Sequence, residues 1–242
     1  PSACGAPSGF ERVFGLQDVE TAISQGGSGA SINFWRYLLN SVIVATTITV
    51  VQTFSCAMAA YAFSRIHWPG RDKVFLLYLS TMMIPGIVLL IPNYQIMVGL
   101  GLVNTYTGLI LPQAFTTFGT FLLRQFMLTL PRSYDEAAKM DGASHLQIFL
   151  DVILPLSRPG LVTLAILTYL GNFQSFFWPL VMIKDDYLRT LPIGLMSFRS
   201  DYAAQTELLM AATVMYILPL VVFFIFMQKQ IVSGIQLGGV KG

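Results

Sequence analysis

The fold class expected from the sequence is all-α: a polytopic membrane bundle of five transmembrane helices carrying a polar helical elbow. Three observations lead there. Of the 242 residues, 55% are apolar and only 11% charged, and the mean hydropathy is +0.66, well outside the soluble range. The apolar residues gather into five runs near bilayer length. The longest polar interruption between them, residues 130–159 (LPRSYDEAAKMDGASHLQIFLDVILPLSRP), carries helix-start signals rather than plain loop chemistry.

Taken in order, residues 1–36 form a first unit rich in Gly, Ser and Ala, with no apolar run of membrane length and no basic start or apolar core of a secretory signal. The first span is expected over 37–63. Its Thr46, Thr47, Thr49, Gln52 and Ser55 are small or polar groups that face other helices and bond back to their own backbone. Residues 64–73 (SRIHWPGRDK) read as a tight basic turn broken by Pro69-Gly70. The second span, 74–91, holds Pro85-Gly86, which predicts a kink or unwinding. A short polar link over 92–105 follows, in which Asn93 and Gln95 mark a solvated helix end. The third span, 106–123, is broken by Pro112 and lined by Gly108 and Gly119. After the elbow come the fourth span, 161–183, a mixed-charge loop over 184–207, the fifth span, 208–227, and a tail over 229–242. Cys4 and Cys56 are not expected to pair, since one lies in a polar segment and the other within an apolar run. His67 and His145 are isolated, and no metal-ligand spacing exists.

The elbow carries two capping-box spacings, Ser133 with Glu136 and Ser144 with Gln147. Gly142 lies between them, where the first helix needs left-handed geometry to end. Ala137 and Ala138 leave the first helix without bulk, while Ala143, Leu146, Phe149 and Leu150 give the second apolar area, an arrangement suited to docking. The run Glu136-Ala137-Ala138, then Asp141-Gly142-Ala143, then Val152-Ile153-Leu154-Pro155 resembles the EAA loop of permease subunits of binding-protein-dependent ABC importers. That pattern has isoleucine where this chain has Val152. RYLLNSVIVA (36–45), LVNTYTGLILP (102–112), LPIGL (191–195) and GGVKG (238–242) are similar to the carbohydrate branch, the type represented by the second permease of the maltose importer.

The resemblance implies a function and a set of partners. The chain would be a membrane permease for a sugar or polyol, not an enzyme, working with a homologous permease, two ATPase subunits, an extracytoplasmic sugar-binding protein and the lipid bilayer, without nucleic acid. Glu136, Ala137, Ala138, Asp141, Gly142, Ala143, Leu154 and Pro155 would couple it to the ATPase. The chain has no GxxxxGK[ST] and no Ser, His and acid constellation, so ATP and Mg are expected on the partner ATPase and no cofactor on this chain. Asn172, Gln174, Phe176 and Trp178 are candidates for the translocation pathway, amides for sugar hydroxyls and aromatics for sugar faces, with Pro179 stopping the helix. Interhelical bonding by Asn172 and Gln174, with Trp178 as an interfacial anchor, is the alternative.

Resemblance also implies that residues 184–201 touch the binding protein and that the tail reaches toward the ATPase interface; a solvated loop and a basic lipid anchor are equally simple readings. With the elbow cytoplasmic, Arg65, Arg71, Lys73, Arg124, Arg132, Lys139, Arg158, Lys229 and Lys241 lie inside, in accord with the positive-inside rule. The protein is then a multi-pass protein of the cell inner membrane with a cytoplasmic C-terminus. Residues 1–36 would be outside without a signal or span to carry them, so a sixth helix is expected upstream in the full-length protein. A secondary transporter or channel would need charges at bilayer depth, yet every Asp, Glu, Lys and Arg falls in or beside a loop. Glycerol phosphate is the alternative substrate; it would want a cation on the pathway.

Overall fold

The computed structural model describes residues 34–201, 210, 213–214 and 216–225. The expectations for residues 1–33, including Cys4, and for the tail over 229–242 lie outside the described residues. Within them the chain is helical, organised around α1 (Phe34–Ser64). Along α1, Ser41, Ala45, Ile48, Gln52, Cys56, Ala60 and Ser64 recur every three or four residues and all are buried. Most are small, so two helices approach this stripe closely: α5 (Thr117–Thr129) and α8 (Arg158–Phe173), which make the most extensive packing in the protein. Thr49 donates to the Ala45 carbonyl at 2.7 Å and Ser55 to that of Val51, the back-bonding expected of hydroxyls in such a helix.

The later spans are built from pieces. α2 (Arg71–Ser80) tightens into a 3₁₀ turn over Thr81–Met83, and Ile84 is extended (φ −81°, ψ 119°). Pro85 explains the break, because its ring disfavours helical geometry in the residue before it. α3 (Leu90–Gly99) then occupies much of what the sequence reads as a polar link, so Asn93 and Gln95 lie within a helix and not at its end. α4 (Tyr106–Ile110) runs into a 3₁₀ turn over Leu111–Gln113, the chain extends at Thr116, and α5 continues to Thr129, past the expected end at 123. Hydroxyl pairs tie α2 to α5: Tyr78 to Thr120 at 3.3 Å and Thr81 to Thr117 at 3.1 Å.

The elbow helices α6 (Ser133–Met140) and α7 (His145–Leu156) follow, and α8 departs from α7 at 77°. α8 ends at Phe173. Pro179 does not stop it: the break comes at Gln174–Phe176, and Pro179 sits in the first turn of α9 (Phe177–Met182), where a missing N–H costs nothing. Within the expected loop over 184–207, Leu191–Asp201 forms α10, and α11 (Tyr216–Ile225) covers half of the fifth span. Among the described residues only α1 is by itself long and apolar enough to cross a bilayer; the bent pair α7 and α8, taken as one, would make a second.

At the end of the bundle away from the elbow, side chains sew the 184–190 segment down. Asn40 donates to the carbonyls of Tyr187 and Arg189, each at 2.9 Å, and accepts from the Tyr106 hydroxyl at 2.8 Å. Asn104 holds φ +62° and accepts from the amides of Lys184 and Asp185, both at 3.0 Å. Close packing leaves no room at Gly119, where an added Cβ would sit 2.7 Å from Thr116 Cγ2 and 3.0 Å from Cys56 Sγ. Gly119→Ala is therefore expected to destabilise the purified protein by about 1–3 kcal/mol through overpacking. Gly171→Ala, whose Cβ meets nothing within 4 Å, should instead stabilise the helix by about 0.5–1 kcal/mol. Paired thermal melts check the contrast.

Candidate functional site

The elbow is built by local backbone rules. The Ser144 box forms in full: the Ser144 amide donates to Gln147 Oε1 at 2.8 Å, and the Gln147 amide to Ser144 Oγ at 3.4 Å. The Ser133 box does not form. Arg132 is already helical, so it caps α6 through its carbonyl, and Ser133 falls inside the first turn. Gly142 has φ +81°, and the pair Gly142 N–H to Lys139 O (3.0 Å) with Ala143 N–H to Ala138 O (3.0 Å) is a complete Schellman closure of α6. Pro155 withholds the N–H that an α-helix would give to the Asp151 carbonyl, and the chain before it widens to a π-helix over Ile148–Ile153.

Burial sorts the expected coupling residues into two sets. Glu136, Ala137, Asp141, Gly142 and Pro155 face outward, whereas Ala138, Ala143 and Leu154 are partly buried against the bundle. Phe149 is not part of the outward surface: it is 2% exposed, with its ring 5.2 Å from that of Tyr61. Leu146 and Leu150 are exposed as expected, and Met140, unremarked in the sequence, is 88% exposed beside them. The outward face is thus an acidic and alanine-lined ridge with a methionine and two leucines, rooted from behind by Ile148, Phe149 and Ile153.

Two arginines serve the elbow end and were not legible as a site. Arg65 Nη1 lies 2.7 Å from Asp135 Oδ2, and Arg65 Nη2 donates to the carbonyls of Met127 and Leu130. Arg124 Nε donates to the Phe63 carbonyl at 3.2 Å, its guanidinium lies over the Phe75 ring, and Nη2 reaches Asp72 Oδ1 at 3.2 Å. A hydrogen bond from Arg71, with the charges of Arg71, Arg124 and His67, holds the Asp72 carboxyl below the usual carboxylate range. Asp135 and Arg65 are 70 residues apart. The only sequence signal was an acid at the position three before Ala138, on the same inward face of α6.

The pathway candidates separate as well. Asn172 donates to the Thr168 carbonyl of its own helix at 2.9 Å. Trp178 is buried, and its indole N–H donates to the Gly108 carbonyl at 3.2 Å, so it is an inter-segment pin and not an interfacial anchor. Gln174 is exposed at the end of α8 and Phe176 is half-buried in the break. Asn172, Ser175 and Trp178 meet Ser41, Gln113 and Thr190 around a small cavity scarcely larger than one water molecule. The buried Thr190 hydroxyl there has no protein partner. Among the described residues no cluster of three His, Cys, Asp or Glu could hold a metal ion.

Comparison with known proteins agrees with this architecture. The family described as "Binding-protein-dependent transport system inner membrane component" matches residues 53–236. The arabinooligosaccharides transport system permease protein AraQ of Halalkalibacterium halodurans is 39% identical over 209 residues, 86% of this chain and 75% of that protein. The sn-glycerol-3-phosphate transport system permease protein UgpE of Salmonella typhi is 34% identical over 222 residues, 91% of this chain and 79% of that protein. Among solved structures, a chain of a bacterial ABC transporter involved in the import of the acidic polysaccharide alginate superposes with a TM-score of 0.74 at 27% identity, covering 81% of this chain and 74% of that one. By sequence and fold alike, the chain belongs to the family of inner membrane components of binding-protein-dependent transport systems.

Proposed function

We propose that the chain is a permease subunit of an ATP-driven sugar importer, and that its elbow receives the stroke of an ATPase. In this reading residues 37–228 form the transmembrane domain with five spans, residues 1–36 lie outside, and the elbow and the 229–242 tail lie in the cytoplasm. A homologous permease completes the pathway, two ATPase subunits hold ATP and Mg, and an external binding protein delivers the sugar. The observation that carries the proposal is the elbow itself: a ridge of Glu136, Ala137, Met140, Asp141 and Leu146 turned to water, rooted in the bundle core by Phe149 and its neighbours. Large apolar side chains left in water on so short a helical hairpin mark a docking surface.

The small polar cavity supports the substrate class. Ser41, Gln113, Asn172, Ser175 and Thr190 supply hydroxyls and amides without a charge, and Trp178 supplies an aromatic face. That chemistry suits a neutral polyol better than a phosphate ester, which would call for Arg or Lys. Glycerol phosphate stays the second reading because a relative of that name is 34% identical. The cavity is too small to hold a sugar as it stands, so α8 and α9 would part during transport.

Two expectations follow. Gly142→Pro cannot adopt φ +81° and loses the N–H of the closure, a change worth about 3 kcal/mol or more at the turn. The reconstituted complex should hydrolyse ATP while importing little substrate; unchanged uptake with substrate-stimulated hydrolysis would refute the coupling role. Asn172→Leu and Gln174→Leu should each lower uptake about three- to tenfold, the value of one hydrogen bond, with assembly retained. Uptake of labelled arabinooligosaccharide competed by glycerol phosphate reads both the loss and the substrate class.

A further inference from the structure

The two elbow helices are held in different ways. α7 is rooted by three buried apolar side chains, Ile148, Phe149 and Ile153. α6 has nothing comparable: of its eight residues only Asp135 is buried, and Ala138 gives its one apolar contact with the core. Tyr134 and Met140 are exposed. Beside its packing on the π-helical part of α7, what ties α6 to α1 and α5 is Arg65, whose side chain is 4% exposed and whose position directly follows the end of α1. One arm of its guanidinium meets Asp135 at 2.7 Å, and the other meets the carbonyls of Met127 and Leu130 at the end of α5. A single planar cation therefore joins α1, α5 and α6.

The pair is end-on. Arg65 Nε and Asp135 Oδ1 are buried and find no protein partner, so α6 is held through one carboxylate oxygen, at a site too buried for salt to screen. Drawing the helix away would strip the buried Arg65 cation of its counter-charge. We propose that Arg65 is a positioning residue: through Asp135 it makes α6 move as one body with α1 and α5, so that a push on the outward ridge reaches the bundle without being lost in a local hinge. The transmission step rests on the reading of the elbow as the coupling element; the fastening of α6 does not. Lysine at position 65 cannot replace it, because one ammonium on a flexible stem does not present two forks in a plane.

The different rooting of α6 and α7 supplies the test. Spin labels are placed in the full reconstituted complex at Lys139→Cys with Lys73→Cys, and separately at Leu150→Cys with Lys73→Cys, after Cys4 and Cys56 are replaced by alanine. Asp135→Asn, which keeps the shape and removes the charge, should broaden the 139–73 distance distribution at least twofold and leave 150–73 unchanged. Sugar imported per ATP hydrolysed should fall severalfold while hydrolysis continues, and Arg65→Lys should reproduce both effects. An unchanged 139–73 distribution overturns the proposal, and so does equal broadening of both distances, which would make the pair a general support of the fold. Should the ATPase subunits fail to bind a variant, the same two distances read in the membrane-inserted permease pair decide by the same criteria. If Gly142→Pro leaves coupling intact while Asp135→Asn still loosens only position 139, the fastening stands and the coupling role of the elbow falls.

Discussion

Two parallel helices that end side by side leave two sets of unpaired carbonyls and two negative dipole ends at one place, and the elbow end of this protein is arranged around that constraint. α1 and α5 both run toward the elbow. Each ends on the other's arginine. Arg65, following α1, takes the last carbonyls of α5, and Arg124, within α5, takes the Phe63 carbonyl of α1. The cations satisfy orphan acceptors and oppose both dipoles at once. Asp135 and Asp72 then balance the two guanidinium groups, and each brings a further helix with it: α6 in one case, α2 in the other. The elbow is in this sense an extension of how two helix ends are closed.

How much of this was legible depends on the range over which each signal acts. Short-range chemistry read well. The Ser144 box, the left-handed Gly142, the break at Pro85 and the hydroxyl back-bonding of α1 are set by neighbours within a turn or two, and all are present. The Ser133 box failed for an equally local reason, since Arg132 became helical and moved the start of α6 by one position. Proline was harder to place: Pro179 opens a helix instead of closing one, and only the tertiary position of the break at Gln174–Phe176 decides between the two. The ion pair of Arg65 with Asp135 and the inward turn of Phe149 were illegible because both depend on partners about 70 and 90 residues away.

The far end shows why certain stretches of the sequence carried the resemblance. In RYLLNSVIVA the working groups are Asn40 and Ser41, and in LVNTYTGLILP they are Asn104, Thr105 and Tyr106. Asn40, Ser41 and Asn104 bind the backbone of residues 184–191 through five side-chain hydrogen bonds, Tyr106 donates to Asn40, and Asn104 adopts a backbone geometry that few residues other than glycine tolerate. Such residues are constrained by the carbonyls and amides they serve, a demand that exposed apolar side chains do not meet.

The break between α2 and α3 has a consequence for how the protein is made. Each helix is ten residues long, about 15 Å and half the hydrocarbon thickness of a bilayer. Leu76, Leu77, Met83, Ile87, Val88 and Ile91 are all exposed along them. Neither piece is long enough to partition from the translocation machinery into lipid as an independent unit, and the stretch between them is held by short turns, Val88 N–H to the Pro85 carbonyl and Leu89 N–H to that of Gly86, in place of a continuous helical ladder. For the span expected over 74–91, residence in the membrane would be acquired late, when α5 has been synthesised and Thr117 and Thr120 can receive Thr81 and Tyr78. On that reading insertion of this region is an act of tertiary folding, and a substitution on α5 far from α2 in sequence would show itself first as a defect of biogenesis.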